Sequence, residues 1–123
     1  MSRIKILVVD DHQLIVNGIK AMLEPIEDFI IIGAANNGNE AISKAGDLNP
    51  DVIIMDISMP EMDGKEAAAA IRRLEAVQGG HVPIVALTAH AMAGDEKSIL
   101  ESGIDEYLTK PLRRNAITEV LMN

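Results

Sequence analysis

Three aspartates stand directly after apolar segments of this chain. Asp10 and Asp11 follow Ile4–Val9, and Asp56 follows Val52–Met55. If the two segments form neighbouring strands, their carboxylates converge within a few ångströms. Three carboxylates at that distance repel one another and raise their pKa values, so the cluster requires a cation. The spacing therefore predicts a divalent metal site.

The donor types favour Mg²⁺ at this site. Magnesium prefers oxygen ligands in an octahedron and keeps several waters that phosphate oxygens can replace. The chain has no cysteine, and its three histidines form no histidine-rich cluster, which disfavours zinc. The expected cofactor is therefore Mg²⁺.

Two further polar residues stand at the ends of later apolar segments. Thr88 closes the fourth segment, and Lys110 lies just beyond the fifth. A carboxylate can attack phosphorus, while a hydroxyl and an ammonium group hold the other phosphoryl oxygens. Together with the aspartates, these residues predict phosphoryl transfer to Asp56.

The elements that position these residues alternate along the chain. Segments that are nearly continuously apolar indicate buried parallel strands. Helical spacing lies between them, with Ile15, Ile19 and Met22 in the first helix and Ala67, Ile71, Leu74 and Val77 in the third. This alternation predicts an α/β, doubly wound (βα)5 sandwich with helices on both faces. The five predicted strands are Ile4–Val9, Phe29–Gly33, Val52–Met55, Val82–Leu87 and Ile104–Leu108.

Punctuation residues mark several helix ends. Asp63 and Glu66 have the spacing of a capping box at the start of the third helix. Gly79-Gly80 is expected to end that helix, and Gly103 the next one. The last helix is predicted from about Arg113 to Asn123.

Length and charge restrict the class of protein. The 123 residues suit a single domain spanning 1–123. A net charge of −8 argues against direct nucleic-acid binding by this domain, which relies on basic patches. The N-terminal apolar run is too short for a signal peptide or a membrane span, and the absence of cysteine suits a reducing compartment. A cytoplasmic location is expected.

Four motifs, in order and covering essentially the whole chain, resemble the signatures of the response-regulator receiver family. They are Val8 to Asp11, Met55 to Gly64, Leu87 to Ala89, and Tyr107 to Pro111. Each motif alone is weak, but four in register at successive strand ends are specific. The resemblance implies a CheY-like, flavodoxin-like sheet of order 2-1-3-4-5.

The resemblance also implies a metal-ligand set. Asp56 would be phosphorylated and would bind Mg²⁺ directly, together with Asp11 and the backbone carbonyl of Ser58. Asp10 would act mainly through water. Ser58 and His90 occupy positions that set the lifetime of the acyl phosphate.

The switch residues are implied in the same way. Thr88 and Lys110 would contact the phosphoryl oxygens, and Tyr107 would move inward with the Thr88 hydroxyl. Pro111 would follow a cis peptide bond that directs Lys110 inward. These motions would remodel the face formed by the fourth helix, fifth strand and fifth helix.

Structural roles compete with each of these assignments. Asp11 could cap the first helix, Asp56 could be a turn residue, and Tyr107 could simply pack in the core. The joint pattern favours function for these three. Asp63 is instead interpreted as a helix cap, and His12 and His81 as surface or capping residues.

The predicted protein is a phospho-acceptor signalling domain and not a turnover enzyme. Its expected partners are a histidine kinase or histidine phosphotransfer protein and an effector domain in a longer protein. Two other classes use similar residues: a Mg²⁺-dependent aspartyl-phosphate phosphatase of the haloacid-dehalogenase type, and a receiver-shaped module that is never phosphorylated. The first usually carries Asp-x-Asp after the first strand, and the second usually lacks part of the site.

Two parts of the chain resemble different kinds of receiver. Residues 10–24 resemble receivers of helix-turn-helix regulators. Residues 86–92 and 103–112 resemble receivers attached to hybrid histidine kinases, which are slightly favoured. A chimeric or designed origin is also compatible with this mixture.

Overall fold

Five strands and five helices alternate along the chain in a computed structural model, which describes residues 3–57, 62–88, 93–110 and 113–122. The strands are β1 (Ile4–Val9), β2 (Phe29–Ala35), β3 (Val52–Asp56), β4 (Ile84–Thr88) and β5 (Glu106–Thr109). The helices are α1 (Gln13–Leu23), α2 (Gly38–Leu48), α3 (Gly64–Gln78), α4 (Ala93–Glu101) and α5 (Arg114–Met122). All four strand pairings are parallel, and the sheet order is β2-β1-β3-β4-β5. The predicted fold class and strand order are confirmed.

The sheet is covered on both faces because successive strand residues point to opposite sides. One cluster of buried residues joins Leu7, Ile53 and Ile84 to α2, α3 and α4. The other joins Ile6 and Ile54 to α1 and α5. Strands buried on both faces explain why the sequence shows continuous apolar runs instead of alternation.

The predicted helix ends agree with the structure. The Asp63 side chain accepts a hydrogen bond from the backbone N–H of Glu66 at 2.8 Å, as an N-cap should. Gly79 follows α3 with a φ of 88°, and Gly103 follows α4 with a φ of 102°. Both glycines adopt the left-handed backbone region that side chains disfavour.

The apolar stripe predicted on α3 is wrong in its second half. Ala67 and Ile71 are buried, but Leu74 is 41% exposed and Val77 86% exposed. At a rise of about 1.5 Å per residue, α3 is about 22 Å long, whereas the five-residue strand it covers spans about 16 Å. The last turns of α3 therefore extend beyond the sheet edge.

Two predicted strands begin too early. The fourth begins at Ile84 instead of Val82, and the fifth at Glu106 instead of Ile104. The Val82 N–H donates to the Glu75 carboxylate at 2.6 Å, so side-chain bonding replaces strand pairing there. Among the described residues, no helix has the length and hydropathy needed to cross a bilayer.

Candidate functional site

The backbone register gathers the polar strand ends at one edge of the sheet. Val9 pairs with Met55, so the residues that follow them, Asp10 and Asp56, lie side by side. On the other side of β3, the Lys110 N–H donates to the Thr88 carbonyl at 2.8 Å. Parallel strands present all their carboxyl ends at the same edge, which is where ligands bind in such sheets.

Four side chains with potential metal-ligand atoms lie together at the site: Asp10, Asp11, His12 and Asp56. One potential ligand atom from each lies within 4.8 Å of all the others. Asp10 and Asp56 are buried, whereas Asp11 and His12 are exposed. The predicted convergence of the three aspartates is therefore confirmed, and His12 joins them.

Lys110, the residue directly after β5, faces this cluster. Its Nζ lies 3.5 Å from Asp56 Oδ2 and 3.9 Å from Asp10 Oδ2. The lysine side chain is 26% exposed, so its apolar stem is largely covered while its ammonium group reaches the carboxylates. Lys110 thus offsets part of the negative charge in this structure.

The His12 ring contacts two of the aspartates, which the sequence did not predict. It occupies the N-cap position of α1, but its side chain makes no capping hydrogen bond. Instead, its ring Nδ1 lies 3.2 Å from Asp10 Oδ1 and 3.1 Å from Asp11 Oδ1. Only the adjacency of His12 to the aspartate pair could have indicated this contact.

Burial raises the pKa of the Asp10 carboxyl above its ordinary value of 3.8. The backbone N–H of His12, which donates to Asp10 Oδ1 at 2.9 Å, opposes the rise. The Asp56 carboxylate increases the pKa further, and Lys110 lowers it. Without a further cation, ionisation of Asp10 therefore destabilises the folded protein.

The residues fit a bound divalent cation. Asp10 Oδ2 is buried and accepts no hydrogen bond from the described part of the chain. A buried carboxylate oxygen in this situation costs free energy unless a cation or ordered water reaches it. An oxygen-rich donor set of three carboxylates is what Mg²⁺ prefers.

Gly64 allows α3 to approach the acceptor strand closely. A Cβ atom at this position would lie 2.7 Å from the Asp56 carbonyl oxygen and 2.7 Å from Ile57 Cα. Because both neighbours are backbone atoms, any side chain would displace the end of β3. Gly64 therefore sets the position of Asp56, a role the sequence suggested only as part of a motif.

The remaining predicted residues divide into two groups. Thr88 is buried at the end of β4, and Tyr107 is half-buried on β5, where it packs against the core cluster shared with α2, α3 and α4. Ser58, His90 and Pro111 lie outside the described residues. Their predicted roles remain predictions.

Asp10→Asn should stabilise the metal-free protein. An ionised, buried Asp10 lowers stability as the pH rises from its ordinary pKa through its raised value in the folded state. The amide removes this penalty, so we expect the free energy of unfolding at neutral pH to rise by about 1–3 kcal/mol. Urea unfolding with a chelator measures it.

The exposed Asp47→Asn is the matched control, since it makes the same charge change on the surface of α2. Added Mg²⁺ should stabilise the wild type more than Asp10→Asn, because a ligand that binds only the folded state shifts unfolding by mass action. If Asp10→Asn is less stable than the wild type in the presence of a chelator, the ionised Asp10 does not destabilise the folded protein.

The chain belongs to the response regulator receiver domain family, whose model matches residues 6–122. It is 43% identical over 122 residues to the hybrid signal transduction histidine kinase I of Dictyostelium discoideum, covering 95% of this chain and 7% of the kinase. It is 34% identical over 118 residues to the response regulator protein VraR of Staphylococcus saprophyticus, covering 96% of this chain and 54% of VraR. The chain thus spans only part of the curated relatives it matches.

Solved structures agree with this family. The receiver domain of sensor histidine kinase PA1611 from Pseudomonas aeruginosa is 34% identical, with a TM-score of 0.85 over 98% of this chain and 96% of that domain. That structure has a magnesium ion coordinated in its active site cleft. The chain is accordingly a receiver domain of two-component or phosphorelay signalling, and the phosphatase and binding-module alternatives are not favoured.

Proposed function

We propose that Asp56 accepts a phosphoryl group from a phosphohistidine of a sensor kinase or histidine phosphotransfer protein. The observation that carries this proposal is the buried Asp56 carboxylate, placed beside Asp10 with Lys110 Nζ 3.5 Å away. A carboxylate oxygen of Asp56 attacks phosphorus, and the bond between phosphorus and the histidine nitrogen breaks. The products are an aspartyl phosphate and a histidine that takes up a proton.

Binding of Mg²⁺ is the second part of the proposal. Asp11, Asp56 and the backbone carbonyl of Ser58 would hold the ion directly, and Asp10 would hold it through water. When bound, the ion offsets negative charge on the phosphoryl oxygens. The buried Asp10 carboxylate, with its raised pKa, supplies negative charge that favours cation binding.

Lys110 and Thr88 are proposed to hold the transferred group. The Lys110 ammonium already lies near Asp56 and would pair with the phosphoryl oxygens. The Thr88 hydroxyl would donate a hydrogen bond to one of these oxygens. The backbone bond between Lys110 N–H and the Thr88 carbonyl keeps the two residues side by side. Both residues therefore respond to the same added charge.

The signal would leave the site through β4 and β5. Tyr107 pairs with Ala86, two residues before Thr88 on the neighbouring strand. Movement of Thr88 toward the phosphoryl group would let Tyr107 move inward and remodel the α4–β5–α5 face. Such couplings are typically about 1–3 kcal/mol, enough to shift a two-state equilibrium.

Loss of the phosphoryl group would return the domain to its resting state. A water molecule attacks phosphorus, the bond to the Asp56 oxygen breaks, and inorganic phosphate leaves. Ser58 and His90 are proposed to control how readily water reaches this bond. This self-hydrolysis resets the signal, so the domain is not proposed to be a turnover enzyme.

The wider setting of the domain is also proposed. Residues 1–123 would form one receiver unit of a longer signalling protein that carries an effector or kinase region, with no direct nucleic-acid or membrane binding by this unit. Pro111 would follow a cis peptide bond. The absence of cysteine agrees with a cytoplasmic setting.

Incubation with acetyl phosphate tests the proposed function. Because the carboxylates need a cation to bring a phosphate dianion among them, we expect the wild type to gain one phosphoryl group with Mg²⁺ and none with a chelator. Intact-mass spectrometry measures the gain. Failure to gain it with Mg²⁺ would support the unphosphorylated module, and repeated turnover of small phosphate esters would support the phosphatase.

A further inference from the structure

We propose that His12 is a metal ligand through Nδ1 and that it gives this cation site a preference for first-row transition ions such as Mn²⁺ and Zn²⁺ over Mg²⁺. The inference rests on the proposed metal site and deepens it. In an all-oxygen set, water would fill the position that His12 Nδ1 takes here. The residue thus increases the affinity of the receiver for these ions relative to Mg²⁺.

The spacing around His12 supports this role. Nδ1 lies 3.1 Å from Asp11 Oδ1 and 3.2 Å from Asp10 Oδ1. Adjacent ligands of an octahedral ion with bonds of about 2.1 Å are about 3.0 Å apart. The nitrogen and Asp11 Oδ1, a direct ligand in the proposed site, are therefore already close to the separation that neighbouring ligands need.

The surroundings of the ring also permit binding. His12 is 64% exposed on its side chain and makes no capping bond to α1, so the ring can adjust without breaking the helix start. On the inner side of the cluster, Asp10 Oδ2 is buried and has no hydrogen-bond donor among the described residues. An ion at this position would have carboxylate oxygens on its buried side and the imidazole on its solvent side.

The chemistry of the donor decides the preference. A neutral imidazole nitrogen suits Zn²⁺ well, whereas Mn²⁺, the weakest binder of the first-row series, gains less from it. Magnesium is a hard ion that keeps oxygen ligands and gains little from nitrogen. One nitrogen ligand therefore raises transition-metal affinity selectively.

A purely positioning role makes a different prediction. The same distances allow Nδ1–H to donate to Asp10 and Asp11 and hold the two carboxylates for any cation. Removing that role would weaken Mg²⁺, Mn²⁺ and Zn²⁺ to a similar extent. A fall in transition-metal affinity with unchanged Mg²⁺ affinity therefore identifies His12 as a ligand. An equal fall for all three metals indicates a positioning role.

The first test compares metal affinities by titration calorimetry for the wild type, His12→Asn and His81→Asn. Asparagine places an amide N–H donor near the position of Nδ1, so the variant retains the positioning role. For His12→Asn we expect Zn²⁺ affinity to fall about 10-fold to 100-fold and Mn²⁺ affinity to fall by a smaller factor, with Mg²⁺ affinity unchanged. His81 bonds Asp105 at the opposite edge of the sheet, so His81→Asn should leave all three metal affinities unchanged.

The second test reads the ligand directly. Pulsed electron paramagnetic resonance on the Mn²⁺-loaded protein should show coupling to an imidazole nitrogen in the wild type. The coupling should vanish in His12→Asn and persist in His81→Asn and His90→Asn. No coupling in the wild type, coupling lost with His90 instead, or an equal fall for all three metals would overturn the inference.

These outcomes are separable from failure of the proposed function. If the wild type takes up a phosphoryl group but Mn²⁺ shows no imidazole coupling, His12 is not a ligand and the receiver function stands. If the coupling is present but no phosphoryl group is gained, the metal site stands and the acceptor role of Asp56 fails.

Discussion

Asp56→Asn is expected to abolish phosphoryl uptake from acetyl phosphate, with no mass gain under conditions that phosphorylate the wild type. The carboxamide lacks the anionic oxygen that attacks phosphorus, and it removes one of the three carboxylates that favour cation binding. Because Asp56 is buried and asparagine has nearly the same shape, the variant should fold. Intact-mass spectrometry with Mg²⁺ measures the effect.

Asp51→Asn provides the matched control for this substitution. Asp51 is an exposed aspartate just before β3, and its Oδ2 accepts a bond from the Lys5 N–H at the edge of the sheet far from the site. We expect it to be phosphorylated like the wild type. A full mass gain in Asp56→Asn would contradict the acceptor assignment.

Arg72→Ala is expected to cause a large loss of stability. The Arg72 guanidinium joins the start of β4 to the turn after α4. It donates to the Gly103 carbonyl at 2.9 Å, the Val82 carbonyl at 2.8 Å, Glu75 at 2.7 Å and Asp105 at 2.6 Å. Removing it takes the guanidinium away from the Glu75 and Asp105 carboxylates, and His81 Nε2 remains as a side-chain partner of Asp105.

The expected loss is about 2–3 kcal/mol in the free energy of unfolding. Breaking a fully buried pair costs about 3–5 kcal/mol, and the 35% exposure of the Asp105 side chain reduces that value. Urea unfolding at neutral pH measures the loss. Arg73→Ala is the control, since this neighbouring arginine is exposed and its loss should change stability by less than about 0.5 kcal/mol. Equal effects of the two substitutions would refute this role of Arg72.

The sequence was sufficient to predict the sheet and most of the site. Continuous apolar runs such as Ile4–Val9 arise because both faces of a parallel sheet are buried, and the residue after each run must then lie at the ligand-binding edge. Asp10, Asp56, Thr88 and Lys110 could therefore be predicted together. Their roles followed from chemistry and from the resemblance to receivers.

Contacts between distant or exposed side chains could not be predicted in this way. The Arg72 network depends on residues more than thirty positions apart, and no short-range pattern marks it. The ring of His12 turns toward Asp10 and Asp11 instead of capping its helix, a choice between two local hydrogen-bonding arrangements. Leu74 and Val77 carry helical periodicity although the sheet ends before it can cover them.

The position of the phosphoryl bond shows directly whether Asp56 is the acceptor. Acyl phosphates are reduced by borohydride, which converts the modified aspartate to homoserine, and peptide mass spectrometry then identifies the residue. After treatment with acetyl phosphate and Mg²⁺, we predict homoserine at position 56 and unmodified aspartate at positions 10 and 11. Homoserine at position 10 or 11, with Asp56 unchanged, would show that Asp56 is not the acceptor.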